Sequence, residues 1–338
     1  MTYNRRQTLA IIGGGAAAAA AGLATPALAR TTVVVGALRL ASHAASFIAL
    51  ERGYFAEAGI PVELRFFDAA QPMAVAIASG DVDFGITAIT GGLISLADKG
   101  AVRVIGGALQ EETGIDGQKY LVSDAAFQAG VKTPADLDGK RFAVTTAGSS
   151  FHYMGAKMAA AEGITLSYTP LQKVGNIVGA LKSGQVDGWS IVPNIAKGLA
   201  ASGAVHIIGD VATYLPNYQV TTVFTSLKNT TDNRGATADF LKVFSRGIGD
   251  FNAALVDNSV DDAARDDVLR QIHKYVYVDD PFEKAAAAIR AGAMRLNANA
   301  ALSVASVQDQ LDWFKSEDMV DRSISIDTLV APGFAAQI

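Results

Sequence analysis

The chain contains no cysteine. That excludes disulfides, thiolate-held zinc, iron–sulfur clusters and a thiol nucleophile, and with them a lipid-modified N-terminal cysteine. Histidine is scarce, four in 338 residues, and only 18% of the chain is charged. Acidic residues outnumber basic ones, 33 to 28, with no Lys/Arg-rich run, which argues against non-specific nucleic-acid binding. His206 and His273 have no partner at metal-ligand spacing, and no Gly-x-Ser-x-Gly or Gly-x-x-x-x-Gly-Lys-Ser/Thr occurs. The acids from Asp257 to Asp267 lack the glycine turn and closing Glu of a calcium loop. No metal and no cofactor are expected. What is abundant is apolar: half of all residues. Such a chain is not disordered, and its length suits two domains of roughly 100–200 residues.

The first thirty residues read as an address. Arg5 and Arg6 are followed by a Gly/Ala-rich apolar stretch to about Leu23 and then by Pro26-Ala27-Leu28-Ala29. This is a basic, apolar, small-x-small order, with cleavage expected after Ala29. The paired arginines resemble a twin-arginine signal, although Thr8 stands where an apolar residue is usual. A weak Sec signal and an uncleaved anchor are the alternatives, but the stretch is shorter than the ~20 residues of a spanning helix. Removing residues 1–29 takes away two arginines and no acid, leaving the remainder more acidic than the formal −5 of the whole. No later segment is apolar enough to span, so a free protein of a Gram-negative periplasm is expected.

Beyond the leader, strands and helices alternate. Residues 31–37, TTVVVGA, predict a buried strand. Residues 46–58 predict a helix stopped by Gly59, and strands follow at 62–67 and 82–86 around a short helix at 73–78. This alternation implies a mainly parallel sheet covered by helices. Ser79-Gly80-Asp81-Val82-Asp83-Phe84-Gly85 is echoed by Ser183-Gly184-Gln185-Val186-Asp187-Gly188-Trp189. Two lobes of related topology would account for the echo, and common helix–turn–strand chemistry is the alternative. The second lobe begins near Ser123, with strands at 141–145, 166–170, 186–189 and 205–208 and helices at 151–161 and 177–182. Residues 220–226 read as a return to the first lobe. Helices are expected at 240–255, 260–275, 281–296 and 304–315. The lobes are therefore 30–120 plus 221–338, and 121–220. Two crossings near 119–122 and 220–224 make a hinge.

Several motifs, in this order, carry a resemblance. They are His43-Ala44, ALERGYFAEAGIPVEL at 49–64, the Ser-Gly-Asp-Val-Asp run at 79–83, Ala135-Asp136-Leu137-Asp138-Gly139-Lys140, Ala147-Gly148-Ser149-Ser150 and Val186-Asp187-Gly188-Trp189. Together they resemble the nitrate/sulfonate/taurine-type substrate-binding proteins of ABC importers, whose relatives bind thiamine pyrimidine precursors and aromatic acids. The resemblance covers roughly 31–201 and implies the type II periplasmic binding fold, two α/β lobes closing on a small molecule. It also implies an inner-membrane permease and its ATPase as partners, and a monomer. Val192-Pro193-Asn194 departs from the Asp-Pro of sulfonate binders, which leaves the ligand open.

Ligands of open parallel sheets bind beyond the carboxyl ends of the strands. The turns 38–44, 68–71, 87–91, 146–150 and 191–194 qualify. Gly148-Ser149-Ser150 follows a strand and opens a helix, so free N–H groups and hydroxyls could hold an anion, or Ser149 could be a plain cap. Thr90 before Gly91-Gly92 is its counterpart, and Ser42 and Thr87 lie in the same set of turns. Arg39 could clamp a carboxylate or sulfonate, or be a surface ion pair. His43 falls where the family's motif faces the cleft; His152 follows the serines. Gln71, Gln110, Asn176 and Asn194 are neutral donors or turn residues. Phe67 and Trp189 could stack on a planar ligand or be core, and Tyr214 and Tyr218 could cap the cleft. The expected function is capture of a small organic anion, not catalysis. An enzyme using Glu111 or Glu112 with His43, or a sensor partner, is the alternative on the same fold.

Overall fold

A computed structural model describes residues 32–338; the expected leader lies outside them. Ten strands form two five-stranded sheets. The first holds β1 (Val33–Ala37), β2 (Val62–Phe66), β3 (Phe84–Thr87), β4 (Val102–Gly107) and β10 (Thr222–Ser226), in the order β2-β1-β3-β10-β4. The second holds β5 (Lys119–Ser123), β6 (Arg141–Val144), β7 (Ser167–Pro170), β8 (Gly188–Ile191) and β9 (Val205–Asp210), in the order β7-β6-β8-β5-β9. In each, one strand runs against the rest: β10 is antiparallel to β3 and β4, and β5 to β8 and β9. The two orders are the same pattern, a mainly parallel sheet whose fourth strand is reversed. That reversed strand is the first one laid down after each crossing.

The repeated Val-Asp run has a structural basis. Asp83 Oδ2 accepts the N–H of Val34, while the Asp83 N–H donates to the Val34 carbonyl, each at 2.8–2.9 Å. Asp187 does the same with Arg141, both bonds at 2.9 Å. In both sheets an aspartate ties the start of one central parallel strand, β3 or β8, to the start of its neighbour, β1 or β6. Gly80 and Gly184, at φ +84° and +71°, make the left-handed turns that end the preceding helices.

Helices cover the sheets: α1 (Ala44–Glu51), α2 (Tyr54–Glu57), α3 (Ala70–Ala78) and α4 (Gly91–Asp98) before the first crossing, then α5 (Asp124–Gln128), α6 (Ser150–Glu162), α7 (Val174–Lys182) and α8 (Pro193–Ala201). After the return come α9 (Leu227–Thr231), α10 (Arg234–Phe251), α11 (Asp262–His273), α12 (Phe282–Ala291), α13 (Val304–Ser316) and α14 (Ile326–Leu329). The single helix expected over 46–58 is two, because Gly53 at φ +71° breaks it. The helix expected over 240–255 starts earlier, at Arg234, and ends in a π-helical turn at Asn252–Val256. The one expected over 281–296 stops at Ala291, and Leu296 bridges instead to Leu109.

The chain crosses between sheets through residues 108–118 and 211–221, just ahead of β5 and β10. The two crossings run side by side: Ala108 N–H meets the Thr221 carbonyl, Val220 N–H that of Leu109, and Glu111 N–H that of Tyr218, at 2.9–3.0 Å. The C-terminal helices reach across. The α12 helix packs on α8, and Asp309 of α13 accepts from Tyr153 and pairs with Lys157 of α6.

Helix α10 fixes the first half. Phe240, Phe244, Ile248 and Phe251 share its buried face, and Phe240 stacks on Phe84 with ring centres 3.8 Å apart. Its close passage over α1 requires Gly247, where a Cβ would stand 2.1 Å from the Ala45 carbonyl oxygen. Gly247→Ala is therefore expected to lower stability by about 1–3 kcal/mol through overpacking. Gly249→Ala, with open space around its Cβ, is expected to be neutral or to stabilise by up to ~1 kcal/mol. Urea midpoints of the two variants check the contrast.

Candidate functional site

The carboxyl ends of β1, β3, β6 and β8 face one another, and the turns after them enclose a chamber of about 60 Å³. Each sheet contributes the same device. After β1, the N–H of Leu38 donates to His43 Nδ1 at 3.4 Å. After β6, the N–H of Gly148 donates to His152 Nδ1 at 3.1 Å. An imidazole at the start of the next helix, His43 just before α1 and His152 in the first turn of α6, thus holds each strand-end turn in shape. Burial keeps both rings neutral, pushing His43 down to about 3 and His152 to about 4. The halves also meet directly, the Gly91 N–H donating to the Gly148 carbonyl at 3.0 Å.

Among the described residues, no Lys, Arg, Asp or Glu lines the chamber. Its polar surface is hydroxyl, amide and neutral imidazole: Ser42, His43, Thr87, Gln118, Thr145, Ser149, Ser150 and Thr221. Ser149 stands at the N-cap of α6, yet its side chain makes no capping bond. Its Oγ is buried without any hydrogen-bond partner. An unmade hydroxyl bond costs about 1–3 kcal/mol, and beside it lie the unpaired N–H groups of a thirteen-residue helix. That corner offers hydrogen-bond donors and no full charge.

Leu38, Leu40, Ala69 and Val174 line both this chamber and an outer mouth of about 610 Å³. They form a neck between the two. Arg39 belongs to the mouth, where its guanidinium lies 3.9 Å over the Phe66 ring. Asp68 and Lys173 pair across the mouth at 2.7 Å, an exposed bridge of small energetic weight. Phe67 and Asn176 line the mouth as well. The chamber alone is far smaller than the ~300–1,000 Å³ of common ligand pockets. A solute of more than a few heavy atoms must extend through the neck or part the two halves.

Of the candidate residues, Ser42, His43, Thr87, Ser149 and Ser150 line the chamber and Arg39, Phe67 and Asn176 the mouth. The others are placed elsewhere. Thr90 caps α4 through Leu93 N–H and donates to Gln71 Oε1 at 2.6 Å, so this pair serves each other. Gly148 forms the backbone contact with Gly91. Trp189 is fully buried against Phe151, which itself lines the chamber. Asn194 donates to Tyr277 at 2.8 Å. Tyr218 lies in the return crossing, packed on Tyr153; with Gln110 and Tyr214 it lines a separate cavity. Glu112 is paired with Arg295. Sequence reasoning missed Gln118, Thr145 and Thr221. Thr145 directly follows β6, while Gln118 and Thr221 directly precede the two reversed strands, so both reach the same edge from the opposite direction.

A family model described as "NMT1/THI5 like" matches residues 41–254, over half of the chain. No curated protein matches. Among solved structures, the alkanesulfonate-binding protein SsuA from Xanthomonas axonopodis pv. citri, bound to MOPS, superposes with a TM-score of 0.68 at 16% identity, covering 91% of this chain and 98% of that one. The aliphatic sulphonate binding protein SsuA from Escherichia coli gives 0.66 at 18% identity, with 91% and 93% covered. The nitrate-binding protein NrtA from Synechocystis PCC 6803 gives 0.60 at 15% identity, with 75% and 68% covered. At these identities the likeness is one of fold: the two-sheet architecture is that of periplasmic binding proteins.

The two histidines set a pH dependence. The unfolded chain protonates them near pH 6.5, the folded chain only near 3 and 4, so stability falls as the pH drops from about 6.5 to about 4. Buried Glu111, raised to about 7, acts the other way, losing stability as the pH rises from about 4.5 to 7. Each group contributes about 1.4 kcal/mol per pH unit, so the histidines outweigh the glutamate. His152→Asn is expected to flatten the slope of the urea-derived stability between pH 4.5 and 6.5.

Proposed function

The chain belongs to the NMT1/THI5-like family, and from that premise we propose that it is the exported solute-binding component of an ABC importer. Its two lobes, 30–120 with 221–338 and 121–220, close by a hinge at the paired crossings over a small organic anion, a sulfonate, carboxylate or aromatic acid. They then deliver it as a monomer to an inner-membrane permease and its ATPase. One observation carries the reading: the buried, unpartnered Ser149 Oγ at the start of α6, on a residue that lines a charge-free chamber between two sheets. Such a corner binds an anion through oriented N–H and O–H dipoles. A ligand favours closure only by the contacts it gains in the closed state, and lining drawn from both sheets supplies that difference. The described residues include no helix long and apolar enough to cross a membrane.

A thermal-shift screen with taurine, nitrate, benzoate and a hydroxymethylpyrimidine tests the reading. At a hundredfold excess over Kd the bound chain gains about 2.7 kcal/mol. For whichever acid binds, Ser149→Ala with Ser150→Ala is expected to weaken affinity by about 1–3 kcal/mol. Unchanged affinity by calorimetry would remove the anion corner.

A further inference from the structure

Gln118 enters the chamber wall with its amide already committed. Its backbone N–H and its side-chain Nε2 both donate to Glu111 Oε1, at 3.0 and 3.1 Å. The partner fixes which way the amide points: with Nε2 turned to the carboxyl, the Gln118 oxygen is the uncommitted end of a side chain that lines the chamber. That oxygen has no hydrogen-bond partner among the described residues. Across the chamber, His43 Nδ1 is taken by Leu38, so its proton sits on Nε2 and the ring offers a donor. The chamber therefore pairs donors at His43 and the serines with an acceptor at Gln118.

Glu111 is the group that holds the Gln118 amide. It is fully buried in the first crossing, its Oε2 has no partner, and it lies so close to Gly117 that a Cβ there would stand 1.9 Å from Oε2. The groups around it are Tyr218 of the return crossing and Lys119, Tyr120 and Asp210 of β5 and β9. Lys119 is drawn off by Asp116 and Asp210, and no ion pair is made to Glu111. A buried carboxyl left without a counter-ion is costly, and burial pushes this one up to about 7.

We propose that Glu111 is a positioning residue that holds the Gln118 amide oxygen toward the chamber, so that the solute must carry an N–H or O–H donor beside its anionic group. This rests on the binding reading above and narrows it, from organic anions in general to amino- or hydroxy-substituted organic acids, and against bare oxyanions such as nitrate.

Two measurements test it. In nitrogen-15 NMR of the full chain, the Gln118 side-chain amide resonances are expected to titrate with a midpoint near pH 7, and to stop doing so in Glu111→Gln. Resonances that stay fixed from pH 5.5 to 8.5 in the unsubstituted chain overturn the proposed contact. Calorimetry then compares probe pairs differing by one donor: taurine with ethanesulfonate, 2-aminobenzoate with benzoate, glycolate with acetate. The donor-bearing member is expected to bind at least tenfold tighter, a preference lost in Glu111→Leu and kept in Glu111→Gln. Should Glu111→Leu fail to fold, Gln118→Ala is expected to lose the preference equally. Equal affinity within a pair overturns this inference and leaves the binding reading standing. No binding by any pair removes both.

Discussion

The contact on which the site depends is made by backbone alone: the N–H of Gly91, after β3, reaches the carbonyl of Gly148, after β6. It brings the carboxyl ends of two independent sheets face to face. Every polar group of the chamber is then a strand-end group, delivered from both sides at once. Gly148 manages this at φ +69°, a conformation open to glycine at little cost, while its own N–H is held by His152. Loss of that geometry would separate the two walls without disturbing either sheet.

Charge is kept out of this junction. The lining hydroxyls, amide and imidazole are dipoles and carry no net charge. His43 has to remain neutral for that, and its burial ensures it. Arg39, a cation of the mouth, is occupied on the Phe66 face and with the Tyr275 carbonyl. Mouth and chamber thus carry different chemistry, charged side chains in the one and dipoles in the other.

Much of the architecture was legible in the sequence, because alternation of strand and helix periods and the repeated Val-Asp run each report a local, repeated physical unit. The reason for the echo became visible only in space, where Asp83 and Asp187 tie neighbouring strands. Helix ends were read less well where Gly53 interrupts a continuous apolar pattern and where α10 passes into a π-helical turn. For the site, residues following parallel strands, such as Ser42, His43, Thr87, Ser149 and Ser150, stand out from chain order alone. Gln118 and Thr221 do not, since they precede strands whose reversed direction depends on pairing far along the chain. Thr90, Gln71 and Asn194 have the right chemistry and the right turns, but their bonds go to one another or to Tyr277.

The late arrival of β10 has a consequence for biosynthesis. The second sheet is contiguous in the chain, from β5 to β9, and can close as soon as residue 210 has left the ribosome. The first cannot: β3 and β4 both pair with β10, so for more than a hundred residues of synthesis two of its edges stay open. Unpaired edges recruit other strands. The earliest-made half of the nascent polypeptide is therefore the one whose edges stay open longest.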